Sequence, residues 1–367
     1  MAESNEQARQ ALYFKMNSAL AGIDSARLQQ LLAAGEAQAG WGATQTVEIN
    51  GVNLFVKRIP LTEPELANPF STRNLYDLPL FYNYGVGSAG FGAFRELLCL
   101  IKTTNWVLAG ACPSFPMLYH HRILSADREP AALDPERHAR YLAYWDNNSN
   151  NDCFLRDRAA ATYELVLFLE HFPFTLVEWL HNNQNRIPDI IAEITATLGF
   201  LQRHGMLHLD ADFFNILTDG HHFYLSDFGL ALDQQAELAA AEVAFWGRHH
   251  AYDYGAFLAN VGAHLYWQFL KLDEAPRQAV ARVCDFELTA RFEVINAGLL
   301  DNLDQLAEAG LMAFDPAYRQ AISQYRPIID LMLDFYRTLR ANPRKDDVFP
   351  QASVQRLLGQ QGIIIAT

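Results

Sequence analysis

Residues 207–229 read LHLDADFFNILTDGHHFYLSDFG, and the spacing of the polar groups along them points to chemistry. Two short strand-like runs, NILTD and HFYLSD, are joined through Gly220. Ahead of them stand His208, Asp210 and Asn215, and behind them Asp227-Phe228-Gly229. Taken singly, each of these is usually a turn with a capping aspartate. Taken in order, between a helix and strands, they assemble a base and a set of hard oxygens. Asp210, in a loop after a helix, can accept a proton from an attacking hydroxyl. Asn215 and Asp227 offer the oxygen ligands that Mg²⁺ takes alongside substrate phosphates. Phosphoryl transfer is mostly positioning and charge stabilisation, so these few groups can carry much of it.

Length and composition bound the rest. A chain of 367 residues has room for two or three domain-sized units. Half of it is hydrophobic and 19% is charged, which supplies a large core and excludes a disordered or low-complexity protein. The net charge of −14 argues against nucleic acid and against an anionic membrane surface. Cys99, Cys112, Cys153 and Cys284 show no CxxC spacing and read as buried or free thiols of a reducing compartment. The opening MAESNEQARQ is polar, and the longest apolar stretch, 163–180, carries Glu164, Glu170, His171 and Glu178. A cytoplasmic protein without a membrane span is expected.

Outward from the quoted stretch, residues 6–34 have helical periodicity broken near Gly22, with Leu12, Phe14, Leu20, Ile23, Leu28, Leu31 and Leu32 as apolar stripes. TQTVEI and VNLFVKRI flank Asn50-Gly51, a strong hairpin signal. Residues 60–92 read as a long irregular connection, 93–108 as a helix, and 115–124 as a strand. The polar stretch 126–158, with WDNNSNND, reads as an inserted loop. TYELVLFLE is a buried strand, Pro188 opens a helix stopped by Gly205, and nearly everything after Asp233 is helical.

The spacing His-x-Asp-x₄-Asn followed by Asp-Phe-Gly resembles the protein-kinase signature set. The resemblance covers roughly residues 36–265. It implies an α+β, bilobal fold with a β-rich N-lobe (36–172, insertion 126–158) and an α-helical C-lobe (173–367), preceded by a helical extension over 1–35. It also implies a lysine on the third strand, and LFVKRI supplies Lys57, one of only five lysines in the chain. Glu96 is the only carboxylate in the following helix and becomes its partner. Two runs compete for the phosphate-covering loop. Gly40-Trp41-Gly42 begins a GxGxxGxV pattern in which Gln45 replaces the third glycine, and it takes preference. Gly85-Val86-Gly87-Ser88-Ala89-Gly90 matches GxGxxG fully but leads into the Glu96 helix. The backbone of Glu170, His171 and Phe172 corresponds to the adenine-binding hinge, where side-chain identity matters little. Asp253 resembles the buried aspartate that opens the long central C-lobe helix, with a plain helix cap as the alternative. The pairs His120-His121, His221-His222 and His249-His250 lack a shared metal-ligand spacing, so zinc is not expected.

Three departures mark the chain. Asp212 stands where Ser/Thr kinases carry a lysine. Leu209 replaces the arginine that answers a loop phosphate, and residues 230–252 hold no Ser or Thr. Only 24 positions separate Gly229 from Asp253, with no APE triplet. The resemblance therefore implies an ATP- and Mg²⁺-dependent kinase with Asp210, Lys57 and Glu96 as its catalytic set. A protein Ser/Thr hydroxyl is the first acceptor. A small-molecule hydroxyl, as in the aminoglycoside- and choline-kinase-like relatives, and a nucleotide-binding pseudokinase scaffold are the alternatives.

Overall fold

Asn50 and Gly51 both have positive φ (52° and 76°), as a two-residue turn between twisted strands requires. That turn joins β2 (Ala43–Ile49) to β3 (Val52–Leu61) in register, Ile49 opposite Val52. With β1 (Glu36–Gln38), β4 (Leu118–Ser125) and β5 (Tyr163–Glu170) they form a sheet of order β1-β2-β3-β5-β4, antiparallel throughout. The computed structural model describes residues 2–38, 43–126 and 133–365. It shows an α+β chain of two compact units, Met1–Pro173 with Tyr224–Ala244, and Phe174–Phe223 with Phe245–Thr367.

In the first unit β5 is buried from Glu164 to Glu170, because apolar matter covers both sheet faces. The helix Ala93–Leu108 packs on β3 and β4, the helix Ala2–Ala21 on β4, and the helix Ser149–Ala160 on β3. The break expected near Gly22 separates Ala2–Ala21 from Ser25–Ala33, but Phe14 is exposed rather than part of an apolar stripe. The segment Tyr224–Ala244, read from the sequence as part of the second lobe, packs with this first unit.

The inserted loop expected over 126–158 is instead two helices in its described part, Pro135–Tyr144 and Ser149–Ala160. Its polar residues are caps. Asp134 accepts the Arg137 N–H ahead of Pro135, and Asn148 accepts those of Asn150 and Asn151. Its few aromatics are anchors, with Trp145 and Phe154 fully buried and Trp145 4.7 Å from the Tyr82 ring. Of the connection expected over 60–92, Pro60 and Leu61 still belong to β3, and the rest is irregular except for the helix Glu63–Ala67 and a 3₁₀ turn, Leu80–Tyr84.

In the second unit the helix Tyr252–Leu270 is buried along most of its length, packed by Ile187–Arg203, Phe292–Asp301, Pro316–Ala341 and Gln351–Gln360. Gly255 and Gly262, seven residues apart, present one face to Pro316–Ala341. A Cβ at Gly262 would lie 2.5 Å from Ile329 Cγ2, and one at Gly255 would lie 2.8 Å from Met332 Sδ. The close helix approach depends on both glycines. Gly262→Ala is expected to destabilise this unit by about 1–3 kcal/mol through overpacking. Urea unfolding checks this, and the gain of about 1 kcal/mol typical of removing a helical glycine would contradict it.

Candidate active site

Lys57 sits in the middle of β3, opposite Thr44 on β2 and Leu167 on β5. Its ammonium lies 2.8 Å from Glu96 Oε1 and 2.8 Å from Asp227 Oδ1. Glu96 is buried and Lys57 mostly so, whereas the Asp227 side chain is 39% exposed. Burial alone would push the ammonium down, but the carboxylates of Asp227 and Glu96 outweigh it and hold Lys57 above the ordinary lysine range. Glu96 moves upward, because burial, reinforced by the Asp227 charge, opposes ionisation more than Lys57 supports it.

The backbone around this triad is built for close approach. Asp227 has φ 58°, a left-handed conformation that costs roughly 1–2 kcal/mol for a residue other than glycine. Its Oδ1 also accepts the Gly229 N–H at 3.2 Å. A Cβ at Gly229 would lie 3.2 Å from that oxygen and 3.3 Å from Glu96 Oε2, so a bare backbone suits the position. The Phe91 N–H donates to the Gly229 carbonyl at 3.3 Å, and the Glu65 carboxylate caps the Glu96 helix through the Ala93 N–H at 2.9 Å.

The two glycine-rich runs fare differently. Gly40 and Gly42 lie outside the described residues. Gln45, in the third-glycine position, is a buried strand residue whose amide donates to the Leu32 carbonyl at 2.9 Å. The second run is tied into the protein. Tyr144 Oη donates to the Val86 carbonyl at 2.7 Å, the Ala89 N–H donates to Tyr82 Oη at 3.1 Å, and Ser88 bonds the Tyr82 carbonyl.

At the end of β5 the structure corrects one expectation, since the Glu170 side chain is not interchangeable. Its carboxylate is buried and held by Arg9, Nε to Oε1 at 2.9 Å and Nη2 to Oε2 at 2.8 Å, while its N–H donates to the Met117 carbonyl. Arg9 also donates to the carbonyls of Pro113 (3.0 Å) and Phe115 (2.9 Å), and lies over the Tyr224 ring at 4.9 Å. Phe172 stacks on that same ring at 4.1 Å, and burial lowers the His171 imidazole. The sequence reading missed Arg9. Its signal was an arginine in helical register with the buried Met16 and Leu20.

In the second unit, the loop 208–215 is folded on itself. Asn215 Nδ2 donates to the Asp210 carbonyl (3.0 Å) and to its carboxylate (2.9 Å), and the Asp210 N–H donates to His208 Nδ1 at 3.3 Å. Asp212 Oδ1 accepts the N–H groups of Phe214 (2.7 Å) and Asn215 (3.1 Å), a local turn bond. Leu209 has φ 65°. Asp253 holds this strained peptide with both carboxylate oxygens, accepting the His208 and Leu209 N–H groups at 2.7 Å each. It is no helix cap, since the helix Tyr252–Leu270 is capped at Ala251 without a side-chain bond. Burial pushes Asp253 up to about 6 against those two donors.

Hard oxygens of the right type are thus present for Mg²⁺. Asp227 is partly exposed, and Asn215 turns its amino group to Asp210, which fixes the direction of its amide oxygen. Among the described residues no three His, Cys, Asp or Glu side chains converge on one point.

Arg9→Met is expected to cost about 3–5 kcal/mol, because it strands a buried carboxylate, whereas Arg9→Met with Glu170→Leu costs less than Arg9→Met alone. Denaturant midpoints of the three proteins check the pair. Asp253 gives a pH signature. The unfolded chain releases this proton near 3.9 and the folded chain near 6, so ionisation opposes folding and stability falls as pH rises between those values, by about 3 kcal/mol. Stability curves of wild type and Asp253→Asn are expected to differ in slope across that window and to run parallel above it. The chain matches no protein-family model, and no curated protein matches it.

Proposed function

We propose that the chain is an ATP- and Mg²⁺-dependent phosphotransferase of the protein-kinase-like kind, with a β-rich and an α-helical lobe. In this reading it transfers the γ-phosphoryl group to a Ser or Thr hydroxyl of a protein. The supporting observation is the Lys57 ammonium shared at 2.8 Å between Glu96 and Asp227. The first unit would place the phosphates with Lys57, keep Lys57 aimed with Glu96, and offer Asp227 to the cation. Bound Mg²⁺ would neutralise phosphate charge that builds up in transfer. In the second unit Asp210 would take the acceptor's proton, oriented by Asn215, whose amide oxygen would serve the cation. Asp212 conflicts less with phosphate than its charge suggests, since Oδ1 is engaged by two backbone N–H groups. The end of β5, fixed by Arg9, would receive the adenine.

One observation favours a second acceptor class. The 24 positions between Gly229 and Asp253 leave little chain for a peptide-docking platform, which suits a small-molecule hydroxyl.

Thermal unfolding with and without Mg²⁺-ATP tests the reading. At 100 times the dissociation constant the wild type gains about 2.7 kcal/mol, and Asp227→Ala loses the magnesium-dependent part. Asp210→Asn keeps the binding shift while kcat falls about 10²–10⁴-fold. Label passing from ATP to protein supports the first acceptor, and turnover only with an added metabolite supports the second. Binding without turnover marks a scaffold. No shift at millimolar ATP would overturn the proposal.

A further inference from the structure

The helix that carries Glu96 is held by more than Lys57. Arg95 and Lys102 are seven residues apart and share one face of it, about a quarter turn from Glu96. Both meet acids from the segment that follows Asp227-Phe228-Gly229. Lys102 pairs with the buried Asp233, and Arg95 Nη2 lies 2.7 Å from Glu242 Oε1, with both side chains almost fully buried. Glu242 uses its other oxygen to accept the Ala239 N–H at 2.8 Å, at the start of the helix Ala240–Gly247. Between these pairs, Glu237 Oε2 accepts Ser71 Oγ (2.9 Å) and the Thr72 N–H (3.2 Å), and Thr72 Oγ1 accepts the Glu237 N–H (2.8 Å). Arg95 Nε closes the circuit on the Thr72 carbonyl at 2.6 Å.

A segment that had to be charged by phosphorylation before it could hold this helix would need a hydroxyl to modify. Residues 230–252 contain no Ser or Thr, and their only Tyr, Tyr252, is buried in the second unit. The negative charges that meet the helix are already side chains. We infer that Arg95–Glu242 and Lys102–Asp233 are positioning pairs that hold the Glu96 helix permanently in register with Lys57, so that the ion pair needs no added phosphate. Removing one member of a buried pair leaves its partner charged and uncompensated, so each pair resists opening. The consequence for activity rests on the phosphotransferase reading, whereas the consequence for the helix does not.

The test uses the full-length protein and two readouts: hydrogen exchange of the amides of 93–103, and Mg²⁺-ATP turnover. Glu242→Gln and Lys102→Gln are each expected to speed exchange at least tenfold. They should lower kcat at least tenfold while KM for Mg²⁺-ATP stays within threefold. Lys102→Arg, which keeps the charge, restores protection and kcat. Phosphatase treatment leaves wild-type turnover within twofold. If Glu242→Gln does not fold, the Lys102 series at the more exposed end of the helix decides the question. Unchanged exchange in the glutamine variants of an active protein, or loss of wild-type turnover after phosphatase, would overturn the inference and leave the phosphotransferase reading standing. Faster exchange in a protein that turns over no ATP would support the pairs and sink that reading.

Discussion

One largely buried ammonium between two carboxylates constrains the first unit. Lys57, Glu96 and Asp227 come from chain positions far apart, and the buried Glu96 carboxylate could not be withdrawn from water at acceptable cost without the Lys57 charge. The sheet supplies Lys57 through a short hairpin, and the helix Ala93–Leu108 supplies Glu96 from a start capped by Glu65. Asp227 arrives only after the chain has left the unit at Pro173 and returned at Tyr224. The ion pair is one of the contacts that tie the returning segment to this unit, with Arg9 over Tyr224 and the Leu225 N–H on the Ser114 carbonyl. The left-handed Asp227 and the bare Gly229 are local adjustments that let the third member fit.

Held this way, the pair also decides what else must be fixed. A helix free to slide by one residue would turn Glu96 by about 100° and lose Lys57. Glu242, Asp233 and Glu65 each hold the helix at a different point, through Arg95, Lys102 and the Ala93 N–H. Arg9 does the same for the end of β5, gathering the Glu170 carboxylate, two carbonyls and the Tyr224 ring about one guanidinium. Arginine suits that role because its planar donors are already spread to meet several acceptors.

What the sequence disclosed and what it hid divide along the range of the interactions. The Asn50-Gly51 turn, the helix Ala93–Leu108 and the order of His208, Asp210, Asn215 and Asp227 are local or fixed by spacing, and were legible. Lys57 and Glu96 were legible only because the downstream motif directed attention to them. Arg9 and its partner are 161 positions apart, and no periodicity announces such a pair. The helices within 126–158 were hidden for another reason. Their polar residues read as loop because caps and loops share a composition, and the few aromatics that anchor them carry no repeat. The Glu170 side chain was overlooked because only its backbone had been given a role.

The two units treat buried acids differently. Among the described residues of the first unit, every buried acid has a basic partner: Glu65 with Arg158, Glu96 with Lys57, Glu164 with Arg58, Glu170 with Arg9, Asp233 with Lys102, and Glu242 with Arg95. In the second, Asp253 is held by two peptide N–H groups. A paired acid answers a full opposite charge, which offsets part of the cost of burial and fixes its direction. An acid held by peptide dipoles alone is stabilised less than burial costs it, and so its proton leaves near 6. The Asp210 loop, whose Leu209 peptide is held by Asp253, is therefore the part of the second unit whose anchor changes charge near pH 6.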